Sequence, residues 1–126
     1  MGKVLVVDDE PAIRELLRDV LCEEGHHVET ARDGVEALKV LEREHAVLVL
    51  LDLMMPRLDG RGVIRALEGR PDGRNHRVIV MSAAERLVAY SASLRSGLVC
   101  EQLAKPFELD TVIALVDQYM PPGAAN

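Results

Sequence analysis

The sequence predicts an α/β domain built on a doubly wound parallel sheet, and three observations carry that reading. Apolar runs at 4–7, 47–51 and 78–81 are continuous rather than alternating, as in parallel strands covered on both faces. The segments between them repeat apolar residues at three and four, the spacing of one helix face. Charged residues follow several runs directly: Asp8 and Asp9 after the first, Asp52 after the second, and Lys105 after Leu103-Ala104. In a parallel sheet these charges converge at one carboxyl edge, where open α/β sheets place their sites.

Taken in order, the first strand spans 4–7, and Ile13, Leu16, Leu17, Val20 and Leu21 give the first helix an apolar face. Val28-Glu29-Thr30 is short and half polar, as suits an edge strand, and Val35, Leu38 and Leu41 mark the second helix. After the strand at 47–51, Val63, Ile64 and Leu67 form the third helix. Residues 68–77 are polar, contain Pro71 and two glycines, and read as an exposed loop on the edge away from the site. A strand at 78–81 precedes a poorly patterned fourth helix with Leu87, Ser91 and Leu94. A weak fifth strand over about 98–103 leads to a fifth helix with Leu109, Val112, Ile113 and Val116. Gly25, Gly34, Gly60 and Gly97 punctuate the turns. Five strand and helix pairs joined by right-handed crossovers give a five-stranded sheet with helices on both faces, in the flavodoxin-like order 2-1-3-4-5.

With 126 residues the chain fits one domain, set here at 1–120, with 121–126 as a disordered tail or the cut end of a linker. Its 48% hydrophobic and 29% charged content is that of a soluble globular protein. No apolar stretch approaches the roughly 20 residues of a membrane span, and the start runs straight into a strand without a signal-peptide pattern. A cytoplasmic protein is expected. A net charge of −6 argues against direct nucleic-acid binding. Cys22 and Cys100 lack CxxC spacing and read as small buried hydrophobes in a reducing compartment. His26, His27, His45 and His76 show no metal-ligand spacing, with the first two at a turn and His76 in the polar loop.

Asp8, Asp9 and Asp52 supply the oxygen ligands that Mg²⁺ accepts alongside waters and a phosphate. Crowded carboxylates repel one another, so a cation there relieves the repulsion and holds Asp52 ionised as a nucleophile. A carboxylate attacking a phosphoryl group forms an aspartyl phosphate. Lys105 is then placed to share the transferred charge, and Ser82, after Val78 to Met81, to donate its hydroxyl to a phosphoryl oxygen. Each residue alone has an ordinary structural role. Asp8, Asp9 and Glu10 can cap the helix opening at Pro11, Asp52 can serve a turn, Ser82 can be an N-cap, and Lys105 can be a surface charge. Their conjunction, each at the end of its own strand, favours the chemical reading.

The runs Val4-Leu5-Val6-Val7-Asp8-Asp9-Glu10-Pro11, Asp52-Leu53-Met54-Met55-Pro56 with Asp59-Gly60, Met81-Ser82-Ala83 and Lys105-Pro106-Phe107 together resemble the receiver domain of bacterial two-component response regulators. The resemblance spans essentially the whole chain. It implies that Asp52 accepts phosphoryl from a histidine kinase or histidine phosphotransfer protein. It further implies Mg²⁺ on Asp9, Asp52 and the Met54 carbonyl, with Asp8 acting through water, Lys105 paired with the phosphoryl group, Ser82 swinging onto it, and a cis Lys105-Pro106 bond. Receivers usually carry an aromatic three residues before the lysine; here that position is Gln102. The segment between Ser82 and Lys105 is also one residue longer than the common pattern, and no aromatic lies between Tyr90 and Phe107. The region of the fourth helix and fifth strand is therefore expected to be mobile and divergent. Positions two beyond the acceptor and two beyond the hydroxyl are Met54 and Ala84; neither side chain orients water well, which predicts a long-lived phosphorylated state.

The preferred reading is a phospho-accepting signalling domain, not an enzyme, whose partner-binding surface changes through the fourth helix, fifth strand and fifth helix. A receiver-like docking module that signals without phosphorylation is the alternative. A phosphohydrolase of the haloacid dehalogenase type fits poorly, because Asp52-Leu53-Met54 places Met where that family carries a second acid. Tyr90, Phe107 and Tyr119 offer few aromatic anchors, so a monomer or weak dimer is expected.

Overall fold

The computed structural model describes residues 2–120, so the tail expected at 121–126 lies outside the described residues. Five parallel strands stand in the order β2-β1-β3-β4-β5: β1 (Lys3–Val7), β2 (His27–Ala31), β3 (Leu48–Asp52), β4 (Arg77–Ala83) and β5 (Val99–Lys105). The helices are α1 (Pro11–Glu23), α2 (Gly34–Arg43), α3 (Gly60–Glu68), α4 (Ala84–Ala89) and α5 (Leu109–Tyr119).

Strand alternation divides the core in two. Val4, Val6, Leu48, Leu50, Ile79 and Met81 face α1 and α5, where Leu17, Leu21, Val112 and Val116 meet them. Leu5, Val7, Val49, Leu51, Val78 and Val80 face the other way, onto Ala37, Val40, Leu41, Val63, Ile64 and Leu67 of α2 and α3. Every residue of β3 is buried, which explains its unbroken apolar run: a central strand has no solvent side on which to place a polar residue.

The helix faces differ in detail from the sequence reading. Leu16 is 48% exposed and Val35 sits at the solvent boundary. In α2 Leu41 is buried as expected and Leu38 packs partly against the core, but the rest of the buried stripe is Gly34, Ala37 and Val40. Ala37 packs in the core with the strands, while Gly34 lets the start of the helix meet the loop after β3, where a Cβ would collide with the Leu58 carbonyl; a pattern read from large side chains alone misses both. Cys22 is exposed rather than buried, while Cys100 is half-buried. Gly25 closes α1 with a φ of 94°, a left-handed conformation that glycine adopts without a Cβ penalty.

The segment 68–77 is not simply an exposed loop. A 3-10 turn at Gly73–Asn75 buries Gly73, where a Cβ would collide with the Leu67 carbonyl. His76 is also buried, and its Nδ1 accepts a hydrogen bond of 3.0 Å from the Val47 N–H at the entry to β3. Burial holds its pKa below the ordinary histidine value, partly opposed by the Leu41 carbonyl. His26 lies at the expected turn but is buried too, 3.2 Å from Asp117 of α5.

The largest departures lie beyond β4. This strand runs two residues past the expected end and takes in Ser82 and Ala83, and β5 likewise runs on to Lys105. The fourth helix has only six residues and gives way to a 3-10 turn at Ser91–Leu94. Leu87 and Leu94 are buried, but one continuous helix does not connect them. Pairing of β4 with β5 slips between Val78 and Ile79, whose partners are Val99 and Glu101, leaving Cys100 as the extra residue of a bulge. That bulge absorbs the added residue noted in the sequence, so the register is restored by the time the chain reaches Lys105, opposite Ala83.

Candidate functional site

The carboxyl ends of β1, β3, β4 and β5 bring the sequence-predicted residues together. A cleft of about 320 Å³ is lined by Asp9, Glu10, Asp52, Met54, Ser82, Ala83, Arg86 and Lys105. Asp8 is fully buried beneath it, Asp52 and Ser82 are nearly so, and Asp9 is exposed. One carboxylate oxygen from each of Asp8, Asp9 and Asp52 lies within 4.8 Å of the others.

Short-range hydrogen bonds fix these groups. Asp8 Oδ1 accepts the Glu10 N–H at 2.9 Å, and Asp8 Oδ2 accepts from Lys105 Nζ at 2.9 Å. Asp8 therefore does help cap the entry to α1, whose N-cap residue Glu10 contributes no side-chain bond and whose first residue is Pro11. That role leaves Asp9 unexplained. Asp52 Oδ1 accepts from the Met54 N–H at 3.3 Å, while its Oδ2 lies 3.8 Å from Lys105 Nζ. Ser82 does not cap α4: the N-cap residue is Ala83, and no side chain caps it. The Lys105-Pro106 bond is cis, as the resemblance implied.

The loop after Asp52 is shaped from below. Gly60 N–H donates to the Leu53 carbonyl at 2.9 Å. A Cβ on Gly60 would stand 2.8 Å from the Asp52 carbonyl and 2.9 Å from Leu53 Cα, so only glycine lets α3 start this close to the end of β3. Asp59 caps α3 by accepting from Gly62 N–H at 3.0 Å. On the outer side Arg57 has a φ of 68°, a strained setting for a residue with a Cβ. Its guanidinium pairs at 2.8 Å with Asp33, the buried N-cap of α2, and Leu58 accepts from Gly34 N–H at 3.0 Å. The sequence reading did not single out this tie between the loop after Asp52 and α2, which depends on the adjacency of β1 to both β2 and β3.

Burial, reinforced by the Asp8 carboxylate and opposed by Lys105, raises the Asp52 pKa to about 7. Burial also works against the Lys105 charge, but the Asp8 bond and the nearby Asp52 carboxylate prevail and lift its pKa. The metal-free site therefore holds more negative charge than it can comfortably keep ionised, and its all-oxygen donors of partly buried carboxylate suit a hard divalent cation. Sequence reasoning also passed over Arg86, the third residue of α4. Its position four after Ser82 becomes informative only once α4 is known to start directly behind the serine.

Beyond the cleft, Gln102 is exposed on β5. Tyr90, at the end of α4, packs partly into the core, with the Arg61 guanidinium of α3 stacked 4.3 Å from its ring centre.

Known proteins resemble this chain in sequence and in fold. The response regulator MprA of Mycobacterium leprae is 40% identical over 114 residues, covering 90% of this chain and 49% of the relative. MprA of Mycobacterium tuberculosis H37Rv is 41% identical over 112 residues, covering 89% and 47%. The chain thus spans about half the length of these curated relatives. Among solved structures, the response regulator TrrA of Thermotoga maritima, in complex with Mg²⁺-BeF, is 36% identical with a TM-score of 0.79, covering 94% of this chain and 98% of that one. A receiver domain of a Pseudomonas aeruginosa sensor histidine kinase, with magnesium coordinated in its active-site cleft, is 26% identical with a TM-score of 0.82, covering 94% and 97%. The response regulator receiver domain family matches residues 4–117, a span that takes in β1 from Val4, the other four strands, the three acids, the serine and the lysine, and the chain belongs to that family.

Proposed function

We propose that Asp52 is the phospho-acceptor of a two-component signalling domain, receiving its phosphoryl group from a histidine kinase or histidine phosphotransfer protein. The observation that carries this is the placement of Lys105 Nζ between Asp8 and Asp52, at 2.9 and 3.8 Å, in a cleft with three carboxylates in mutual reach. An Asp52 carboxylate oxygen attacks phosphorus, the bond from phosphorus to the donor imidazole nitrogen breaks, and the imidazole leaves. Lys105 turns from Asp52 to the incoming phosphoryl oxygens, and the Ser82 hydroxyl donates to another.

Asp9, Asp52 and the Met54 carbonyl would hold Mg²⁺ directly, with Asp8 acting through water. When bound, the ion supplies charge neutralisation to the phosphoryl oxygens and keeps Asp52 ionised at neutral pH. Solved relatives with magnesium in the cleft and with Mg²⁺-BeF support this assignment. We assign residues 1–120 to the receiver, working in the cytoplasm as a monomer or weak dimer, with a protein rather than nucleic acid or membrane as its downstream partner. The domain takes part in its own phosphorylation and turns over no other substrate. No helix among the described residues is long and apolar enough to cross a membrane.

The exposed Gln102 favours a second reading, a docking module whose surface does not respond to phosphorylation. Mass spectrometry after incubation with Mg²⁺ and acetyl phosphate separates the two, with amide exchange recorded on the same samples. Phosphoryl addition to the wild type, lost in Asp52→Asn and accompanied by altered exchange over 83–104, is the expected result. Addition without altered exchange supports an uncoupled module, and no addition defeats the acceptor assignment. With Met54 and Ala84 flanking the cleft, the phosphorylated state should decay slowly once formed.

A further inference from the structure

We infer that Arg86 is a second cationic ligand of the phosphoryl group and closes the mouth of the cleft against water, an inference that rests on the acceptor reading of Asp52. Arg86 lines the same cleft as Asp52, Ser82 and Lys105, from the first turn of α4. Among the described residues its guanidinium has no ion-pair partner, although Glu10 lines the cleft as well. Ala83 and Ala84, the two residues after Ser82, carry only methyl side chains and offer the guanidinium no polar partner.

Phosphorylation replaces the single charge of Asp52 with nearly two and presents three strong acceptor oxygens. Lys105 is already committed in part to Asp8, and Ser82 brings no charge. With Mg²⁺, Lys105 and Ser82 engaged, the phosphoryl oxygens still carry unused lone pairs, and Arg86 is the remaining cationic side chain lining the cleft. Arginine suits that place because its fork of donors binds phosphoryl oxygens and stays charged.

The same chemistry governs decay. In hydrolysis a water oxygen bonds to phosphorus from the side opposite the Asp52 oxygen, the bond from Asp52 to phosphorus breaks, and inorganic phosphate leaves as the water proton passes to solvent. That approach comes through the cleft mouth. A guanidinium has donors but no acceptor, so it can neither orient nor deprotonate the attacking water. Arg86 therefore holds the phosphoryl group and retards its loss.

The test compares wild type with Arg86→Gln, Arg86→Ala and Arg86→Lys by three readouts: Mg²⁺ affinity, beryllofluoride affinity in saturating Mg²⁺, and the half-life of acetyl-phosphate-labelled protein. Removing the charge should weaken beryllofluoride binding and shorten the half-life, each by roughly threefold to tenfold, as for one partly exposed charge-assisted hydrogen bond. Mg²⁺ affinity in the absence of beryllofluoride should rise, because a repelling cation has gone. Arg86→Lys should restore part of both losses. A merely structural role would weaken Mg²⁺ and beryllofluoride binding together, and that result, or unchanged beryllofluoride affinity and half-life, overturns the inference. Failure of wild type to take up phosphoryl at all, with Asp52→Asn as control, overturns instead the reading beneath it.

Discussion

Strands β1 and β3 carry the three acids on backbone covered from both sides, whereas Lys105 ends β5, a strand reached through a six-residue helix, a 3-10 turn and a bulge. Val4 to Val7 and Val47 to Leu51 are fully excluded from solvent. In β5 only Leu103 is buried, and Glu101, Gln102 and Ala104 have water on one side. The acids are thus held on the best-packed part of the molecule, and the cleft-lining cations Arg86 and Lys105 on its least-packed part. A receiver needs this inequality: a metal site requires fixed ligands, and a change of surface requires elements whose local opening costs little.

The largest test of the contrast is core truncation. Leu50→Ala in β3 leaves a cavity where nothing can collapse and should cost about 4 kcal/mol, while Leu87→Ala in α4 should cost nearer ~2 kcal/mol because the short helix can settle inward. Urea denaturation measures both. Amide exchange should rank the same way, with 84–104 opening well before β1 and β3; equal protection of the two regions would remove the distinction.

A pH titration sharpens it further. Asp52 keeps its proton up to about pH 7 without metal. An acid whose folded pKa is raised lends stability below its unfolded value and loses it as pH climbs through the folded one. Metal-free protein should therefore lose stability from about pH 4 to about pH 7 on account of this group, and Mg²⁺ should restore it above that range. The rise in Tm on adding Mg²⁺ should accordingly be several degrees at about pH 8 and much smaller at about pH 5.5, where binding must displace a proton. Asp52→Asn should flatten that dependence.

The smallest effect concerns the tie between the two regions. The Arg61 guanidinium over Tyr90 joins α3 to the end of α4. Such a contact is worth about 0.5–1 kcal/mol at a partly exposed site. Arg61→Ala should scarcely move global stability yet speed amide exchange in α4 and the following turn. Unchanged exchange there would show that α4 is held by Leu87 and Leu94 alone.

The readability of the chain follows the same division. Where strands are central, apolar runs stand at the right places because burial on both faces leaves no alternative, and strand order follows expectation; at the edge, the cis Lys105-Pro106 bond is the one the family resemblance implied. Where burial is partial, the pattern misled. Leu16 is exposed, Ala37 and Gly34 are buried, Cys22 faces water, and His76 is buried within a polar segment because Val47 N–H needs an acceptor that the sheet does not provide there. In the fourth-helix region the structure departs from the sequence pattern through the six-residue α4 and the bulge at Cys100, and the mobility expected there is what the amide-exchange ranking tests.

By itself the sequence determined the number and order of the strands, the acids at their ends and the family, because hydrophobic periodicity and residues at strand ends are local properties. Tertiary structure alone decided three further things. It set Lys105 between Asp8 and Asp52, tied Arg57 to Asp33, and turned Arg86 into the cleft. Each joins residues brought together by crossover connections or by where a helix begins, and the pKa of Asp52 follows from that assembled neighbourhood of burial and charge rather than from any residue beside it in the chain.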